Sequence, residues 1–215
     1  MKEENAVSFV WALKLFIELL DGEMPLTVVT DRCLALMLAL EEVLPKANKL
    51  LCRWHIGMAV KHKSRAEIPL GDDNDDTERL KFSSMWSDVV YSDNENEYEG
   101  QWTLLKLHFG RYPKLLKYLE EQWLRPYKEK FIQLWTDKWL HFGNTSTNRV
   151  ESAHAILKKD LMGLRRYTFL GMFLLIHRSI STQLSEIKAT FEKSLNNISH
   201  EHRIQFFDDI RGSVS

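Results

Sequence analysis

The stretch Leu26-Thr27-Val28-Val29-Thr30-Asp31 decides the fold prediction for this chain. Its β-branched residues predict a short apolar strand over residues 26–30, and helical spacing predicts a helix over residues 32–44. The strand ends at a carboxylate, and ligands and metals are commonly held at the carboxyl ends of strands in α/β sheets. Asp31 is therefore a candidate site residue. The alternative is that Asp31 only caps the helix, since Asp is a favoured N-cap.

The residues on either side of this stretch extend the pattern to a β-α-β-α order. A helix is predicted over residues 6–20, a second strand over residues 49–53 and a further helix over residues 54–65. Strands that alternate with helices in this way pair in parallel, so we expect a small parallel sheet.

Beyond residue 77 the periodicity is helical as far as residue 140, and no convincing strand is found. The chain has seven tryptophans, and most of those in this region fall on inward-facing positions. A helical core is therefore favoured over a surface for stacking bases. Pro126 is predicted to separate two helices. Two last helices are predicted over residues 149–162 and 168–196, with Gly163 ending the first.

Composition excludes several classes of protein. The 215 residues carry a net charge of −1, so any DNA contact must come from local basic patches rather than from the charge of the whole molecule. The two cysteines, Cys33 and Cys52, are too few for a disulfide framework, and a reducing, intracellular compartment fits. No stretch approaches the roughly 20 apolar residues that a membrane-spanning helix needs.

Cys52-Arg53-Trp54-His55 is the first motif that could carry chemistry. Its spacing can bring a thiolate and an imidazole to one metal ion, but it supplies only half of a zinc site. Without a second Cys/His pair, the alternative is a buried Cys52 and a His55 whose hydrogen bonds are satisfied in the first helical turn.

Asn148-Arg149-Val150-Glu151-Ser152 is the second such motif. Glu151 falls in the first turn of a predicted helix, where it could bind a metal. The alternative is a capping box, with Asn148 as the N-cap and Glu151 three residues later. Two basic clusters flank the proposed carboxylates and are either solvated surface charge or phosphate contacts. The candidate DNA contacts are Arg53, Lys61, Lys63, Arg65, Lys158 and Lys159.

Three short motifs together resemble the Mutator-like element (MULE) transposase domain and the far-red-impaired-response-type proteins domesticated from it. They are Thr30-Asp31-Arg32, Leu50-Leu51-Cys52-Arg53-Trp54-His55 and Thr147-Asn148-Arg149-Val150-Glu151-Ser152, in the family's order. The resemblance implies an α/β, mostly α fold: a partial ribonuclease H-like core with two short parallel strands, interrupted by a large all-helical insertion. The predicted divisions are a core over 1–65, the insertion over 66–146, the glutamate-bearing and C-terminal helices over 147–198, and a polar tail over 199–215.

The resemblance also implies a function, which is metal-dependent cleavage and transfer of DNA strands by an Asp-Asp-Glu set with Mg²⁺ or Mn²⁺. By motif, Asp31 matches the second aspartate and Glu151 the glutamate, both as catalytic and metal-binding residues. Cys52, His55, Asn148 and Arg149 match family motifs near the site. The expected partner is DNA, with a second copy or a full-length transposase as a further partner and no membrane. The expected compartment is the nucleus.

One departure from the family limits this expectation. The first aspartate of the set, and three strands of the usual five-stranded sheet, have no counterpart in the sequence. Two carboxylates do not clamp two metal ions as in-line transfer requires. We therefore expect the C-terminal part of a transposase domain, from a decayed element or an incomplete gene model, that is inactive alone.

Two alternatives to that expectation remain open. One is an activity that another chain or an upstream exon completes. The other is a non-enzymatic helical module of a domesticated transposase, which binds DNA or protein and has the tryptophan-rich insertion as its working surface.

Overall fold

The two predicted strands form a parallel pair in the computed structural model, which describes residues 5–162 and 169–196. Strand β1 (Thr27–Thr30) lies beside β2 (Asn48–Leu51), with Thr27 opposite Asn48 and Thr30 opposite Leu51. Within the described ranges these two strands make up the whole sheet. The prediction of a mostly helical α/β protein with two short parallel strands is confirmed.

Helices make up most of the remaining described chain. The first three, which alternate with the strands, are α1 (Ala6–Leu19), α2 (Leu34–Val43) and α3 (Arg53–Glu67). The next five are α4 (Thr77–Val90), α5 (Glu95–His108), α6 (Pro113–Leu119), α7 (Arg125–Phe131) and α8 (Gln133–Thr136). The last two are α9 (Asn148–Met162) and α10 (Phe169–Asn196).

Two predicted helix caps are wrong. Helix α2 begins at Leu34 with Cys33 as its N-cap, and the backbone at Cys33 is extended, with φ −87° and ψ 107°. Asp31 therefore lies outside the cap that was the alternative to a site role. Helix α9 begins at Asn148, one residue earlier than predicted, which places Asn148 inside the helix rather than at its cap. Glu151 lies in the first turn of α9, as predicted.

Pro126 does not break its helix, so that prediction is also wrong. A proline cannot donate a hydrogen bond to the carbonyl four residues earlier, and its ring clashes with that carbonyl. The chain accommodates this by widening into a π-helical segment over Glu120–Leu124, in which the Arg125 N–H bonds to the Glu120 carbonyl. Helical backbone therefore continues from α6 through this segment into α7.

One large hydrophobic core joins the strand–helix segment to the predicted insertion. Leu51 of β2 and Ile56 of α3 belong to the same buried cluster as residues of α4 to α7. Trp86, Trp102 and Trp123 are buried in it, which confirms the helical-core interpretation for these three rings. Each buried aromatic side chain removes about 150–250 Å² from water, so these rings contribute strongly to folding. Because these three rings are buried, they do not support the hypothesis that the insertion works through exposed tryptophans.

A smaller cluster holds the sheet against the first helix. Leu40 of α2 and Leu44, the C-cap residue of that helix, pack with Leu13 and Ile17 of α1 and with Val28 of β1. This packing fixes β1, and with it the position at which Asp31 leaves the strand.

The chain divides into two compact units, Met1–Arg149 and Val150–Ser215. The first contains both strands and both hydrophobic clusters. The second contains most of α9 and all of α10. The predicted helix end at Gly163 and the tail from residue 199 lie outside the described residues. Over the described parts of both units, no helix combines the length and apolar character needed to cross a membrane.

Candidate functional site

The Thr30-Asp31-Arg32 motif and the motif that contains Cys52-Arg53-Trp54-His55 meet at the carboxyl ends of the parallel strands. Directly after β2, the N–H of Cys52 donates to the carbonyl of Thr30, the last residue of β1, at 2.7 Å. Asp31 and Cys52 therefore leave neighbouring strands side by side. This is the edge at which parallel α/β sheets usually hold ligands.

Thr147, the first residue of the Thr147-Asn148-Arg149-Val150-Glu151-Ser152 motif, lies at the same edge of the sheet, although it is far from the other two motifs in the sequence. The N–H and the hydroxyl of Thr147 donate to the Cys52 sulfur, at 3.3 and 3.4 Å. The Thr147 hydroxyl also lies 3.3 Å from Nδ1 of His55, and the Arg53 N–H donates to the Thr145 carbonyl at 3.0 Å. The first two motifs and Thr147, the first residue of the third, are thus held together by hydrogen bonds within the first unit.

The contacts with Thr147 indicate a structural role for Cys52 and His55. Cys52 is only 1% exposed, and its sulfur accepts both hydrogen bonds from Thr147. Among residues 5–162 and 169–196, no group of three or more His, Cys, Asp or Glu side chains is placed to hold a metal ion. This arrangement fits the buried-cysteine interpretation better than half of a zinc site.

Asp31 is exposed at the strand end. Within the part of the chain that the structure describes, its carboxylate forms no hydrogen bond and no ion pair. Glu151 is half-buried in the first turn of α9 and belongs to the second unit. The pairing of Asp31 with Glu151 stays a prediction. Asn148, Arg149, Lys158 and Lys159 are exposed on α9.

Arg32 ties the Asp31 motif to the helical insertion, a link that the sequence interpretation missed. Its Nη1 donates to the carbonyl of Gln122 at 3.1 Å. Its guanidinium carbon lies 4.5 Å from the centroid of Trp123 and 5.9 Å from that of Tyr127. Gln122 is four residues before Pro126, so its carbonyl lacks the usual α-helical donor. The proline was thus the sequence signal for a free acceptor, although not for which donor would reach it.

Arg53 is the one candidate DNA contact with a largely buried side chain among those described, at 9% exposure. Its guanidinium donates to the Phe131 carbonyl at 2.7 Å and to the Thr136 hydroxyl at 2.5 Å. It also lies 3.8 Å from the Asp137 carboxylate and 5.2 Å from the Tyr91 ring. Burial lowers the pKa of Arg53, opposed by the charges of Tyr91 and Asp137. This geometry fits a structural role better than the predicted DNA contact.

The other cations of α3 differ in their surroundings. Lys63 forms an ion pair with Glu67 at 2.6 Å. Lys61 and Arg65 are exposed, and in the described chain neither forms an ion pair. Both line a groove of about 480 Å³ between α3 and α4, which also reaches the turn before α9.

Comparison with known proteins agrees with the motifs. The family model of the MULE transposase domain matches residues 1–59. The chain is also similar to two proteins of Arabidopsis thaliana. It is 24% identical over 205 residues to Protein FAR1-RELATED SEQUENCE 11, covering 93% of this chain and 28% of that protein. It is 22% identical over 161 residues to Protein FAR-RED IMPAIRED RESPONSE 1, covering 73% of this chain and 18% of that protein.

The resemblance drawn from the three motifs is therefore confirmed, since both the MULE transposase domain model and the FAR1-related proteins match this chain. Among proteins that resemble MULE transposases, the chain is similar to FAR1-type proteins. It spans less than a third of the length of the two relatives described above. No solved structure matches it.

Proposed function

We propose that this chain is the DNA-binding part of a MULE transposase-derived protein, with a partial ribonuclease H-like core, and that it does not cut DNA by itself. The observation that supports this most is the meeting of three transposase-type motifs at one edge of a parallel sheet. We interpret this edge as a site inherited from a transposase, and the exposed Asp31 carboxylate is an acidic group that lies at it. The expected compartment remains the nucleus, and the whole protein's partners are part of this proposal.

The metal that the family implies is Mg²⁺ or Mn²⁺, both of which prefer oxygen ligands. Asp31 offers such a ligand, since its carboxylate is exposed and free of partners in the described residues. One carboxylate does not fit a two-ion clamp, which needs several oxygens in fixed positions. The described residues of the first unit, 5–149, do not supply that set, so they do not support a strand-cutting step.

DNA binding by this chain rests on local cations, because its net charge is only −1. Lys61 and Arg65 on α3 and Lys158 and Lys159 on α9 are exposed and can approach phosphates. Contacts of this kind release counterions, so the affinity must fall as the salt concentration rises. We assign duplex binding to these exposed side chains and not to the buried Arg53.

Fluorescence anisotropy with a labelled DNA duplex tests this proposal. We expect binding that weakens steeply between about 50 and 200 mM salt. The double variant Lys61→Glu/Arg65→Glu should bind more weakly and with a shallower salt dependence. Lys46→Glu/Lys106→Glu, which makes the same charge change at two other exposed lysines, is the control. Equal loss in both double variants, or no duplex binding by the wild type, contradicts the proposal.

A nicking assay on supercoiled plasmid with Mg²⁺ or Mn²⁺ tests the second half of the proposal. We expect no cutting above background by this chain alone. Metal-dependent nicking that disappears in Asp31→Asn would show that the chain is an active nuclease and would overturn this part of the proposal.

A further inference from the structure

We infer that the groove between α3 and α4 binds a single-stranded nucleic acid. This inference rests on the proposed function, and it assigns to this groove a ligand different from the duplex. It depends on four features of the groove, which are its construction, charge, exposed rings and size.

Residues of α3 at helical spacing form one wall of the groove. Trp54, Gly57, Lys61 and Arg65 lie at positions i, i+3, i+7 and i+11, which places them along one face of the helix. The opposite wall comes from α4 and the residue after it, and the turn before α9 and the first residue of α9 also line the groove. The groove-lining residues of these segments include Ser83, Ser87, Tyr91, Thr145, Ser146 and Asn148.

The charge of the groove differs in sign from that of the whole chain. Four cationic side chains and one carboxylate, that of Asp76, are among its described lining residues. Arg53 and Arg79 are engaged by protein groups, Arg79 through the carbonyls of Ile68 and Arg65. Lys61 and Arg65 remain exposed, so they can meet the phosphates of a polyanionic strand.

Two aromatic rings are exposed along this cationic groove. Trp54 is 44% exposed and Tyr91 is 52% exposed, although both line it. Each ring contacts a neighbouring side chain: Trp54 makes an edge contact with His55 at 4.9 Å, and the Arg53 guanidinium lies 5.2 Å from the Tyr91 ring. Rings held in this way next to cations are the platform on which proteins stack unpaired bases.

The size of the groove favours one strand over two. A volume of about 480 Å³ is that of a small-molecule site and not of a channel for a duplex. Unpaired bases expose the faces that can stack on Trp54 and Tyr91, whereas bases within a duplex are already stacked on one another. Serine and threonine hydroxyls in the walls can bond to phosphate or to base edges.

Gly57 provides a steric test of this inference. A Cβ built at Gly57 meets no atom within 4 Å, so a larger side chain at this position extends into the open groove. Replacing a helical glycine does not harm helix formation and favours it. Gly100 on α5 is the matched control, since its Cβ also meets nothing within 4 Å and it does not line the groove.

The experiment is fluorescence anisotropy with labelled oligothymidylate, oligouridylate and a DNA duplex. We expect the wild type to bind oligothymidylate, and Gly57→Leu and Trp54→Ala each to weaken that binding about tenfold or more. Gly100→Leu should bind like the wild type, and Gly57→Leu should keep its duplex binding. Circular dichroism and thermal melting confirm that each variant is folded.

The possible results separate this inference from the proposed function. A folded Gly57→Leu that binds single strands like the wild type overturns the inference, as does a wild type that binds duplex alone. Single-strand binding lost in Gly57→Leu, with no duplex binding in any protein, supports the groove and overturns duplex binding as the function. Tighter binding of oligouridylate with the same Gly57→Leu loss supports the groove and identifies RNA as its strand.

Discussion

Replacement of Arg53 by alanine tests whether this cation belongs to the protein interior. The change removes the donors to the Phe131 carbonyl and the Thr136 hydroxyl, both on residues that are at most 1% exposed. A hydrogen bond from a charged group contributes about 1.5–3 kcal/mol, and an orphaned buried acceptor costs about 1–3 kcal/mol. Both hydrogen bonds are lost together, whereas the Asp137 carboxylate is 50% exposed and stays in contact with water. We therefore expect Arg53→Ala to lower the free energy of unfolding by about 3–5 kcal/mol.

Urea unfolding followed by tryptophan fluorescence measures this change. Buried Trp86, Trp102 and Trp123 report on the core next to Arg53. Arg65→Ala, an exposed arginine on the same helix, is the control and should change the stability by less than about 0.5 kcal/mol. If Arg53→Ala costs less than about 1 kcal/mol, the guanidinium is not a structural group and its predicted DNA contact becomes the better interpretation.

Two further variants test other contacts. Arg32→Ala loses one hydrogen bond to Gln122 and the contact with Trp123. We expect the free energy of unfolding, measured in urea, to fall by about 1–2 kcal/mol. An unchanged free energy of unfolding would show that the guanidinium is not held at this place. Burial, the largest cause, raises the pKa of Tyr98 from 10.0 to about 12. The unfolded state then releases its proton first, so stability that is present below pH 10 is lost as the pH rises towards 12. The alkaline fall in the unfolding midpoint should be smaller in Tyr98→Phe, and equal falls in both proteins would contradict the shift.

The local part of the fold could be predicted from the sequence. The β-branched run before Asp31 and the second apolar run before Cys52 are short-range signals, and both became strands at the predicted places to within two residues. The burial of the tryptophans of the insertion could also be predicted, since helical spacing alone puts Trp86, Trp102 and Trp123 on inward faces.

The failures have tertiary causes. Asp31 is a good N-cap by propensity, yet Arg32 lies in a bend, Cys33 has extended backbone and α2 starts only at Leu34. Pro126 is a helix breaker by rule, but a π-helical segment accommodates it. In the sequence, Arg53 looks like one more cation of a basic cluster. Only the packing of the insertion buries its side chain. None of these outcomes is encoded in a window of neighbouring residues.

The candidate site likewise combines features that could be predicted from the sequence with contacts that could not. Each motif could be recognised from its residues, including the Cys-x-x-His spacing and the first-turn position of Glu151. The contact between Cys52 and Thr147 could not, because 95 positions separate the two residues. The link from Arg32 to the insertion depends on a carbonyl that becomes free only when Pro126 is folded into a helix.

The meeting of the motifs at the strand ends is the central claim, and one cross-linking measurement tests it most directly. The Cys52 sulfur lies 3.4 Å from the Thr147 hydroxyl oxygen, so a sulfur at position 147 is within reach of a disulfide after a small shift. In a Cys33→Ser background, we expect Thr147→Cys to form an intramolecular disulfide with Cys52 under mild oxidation, detected by peptide mass spectrometry. Thr103→Cys, at an exposed position on α5, should stay reduced. A Thr147→Cys protein that stays as reduced as the Thr103→Cys protein would contradict the claim that these motifs share one site.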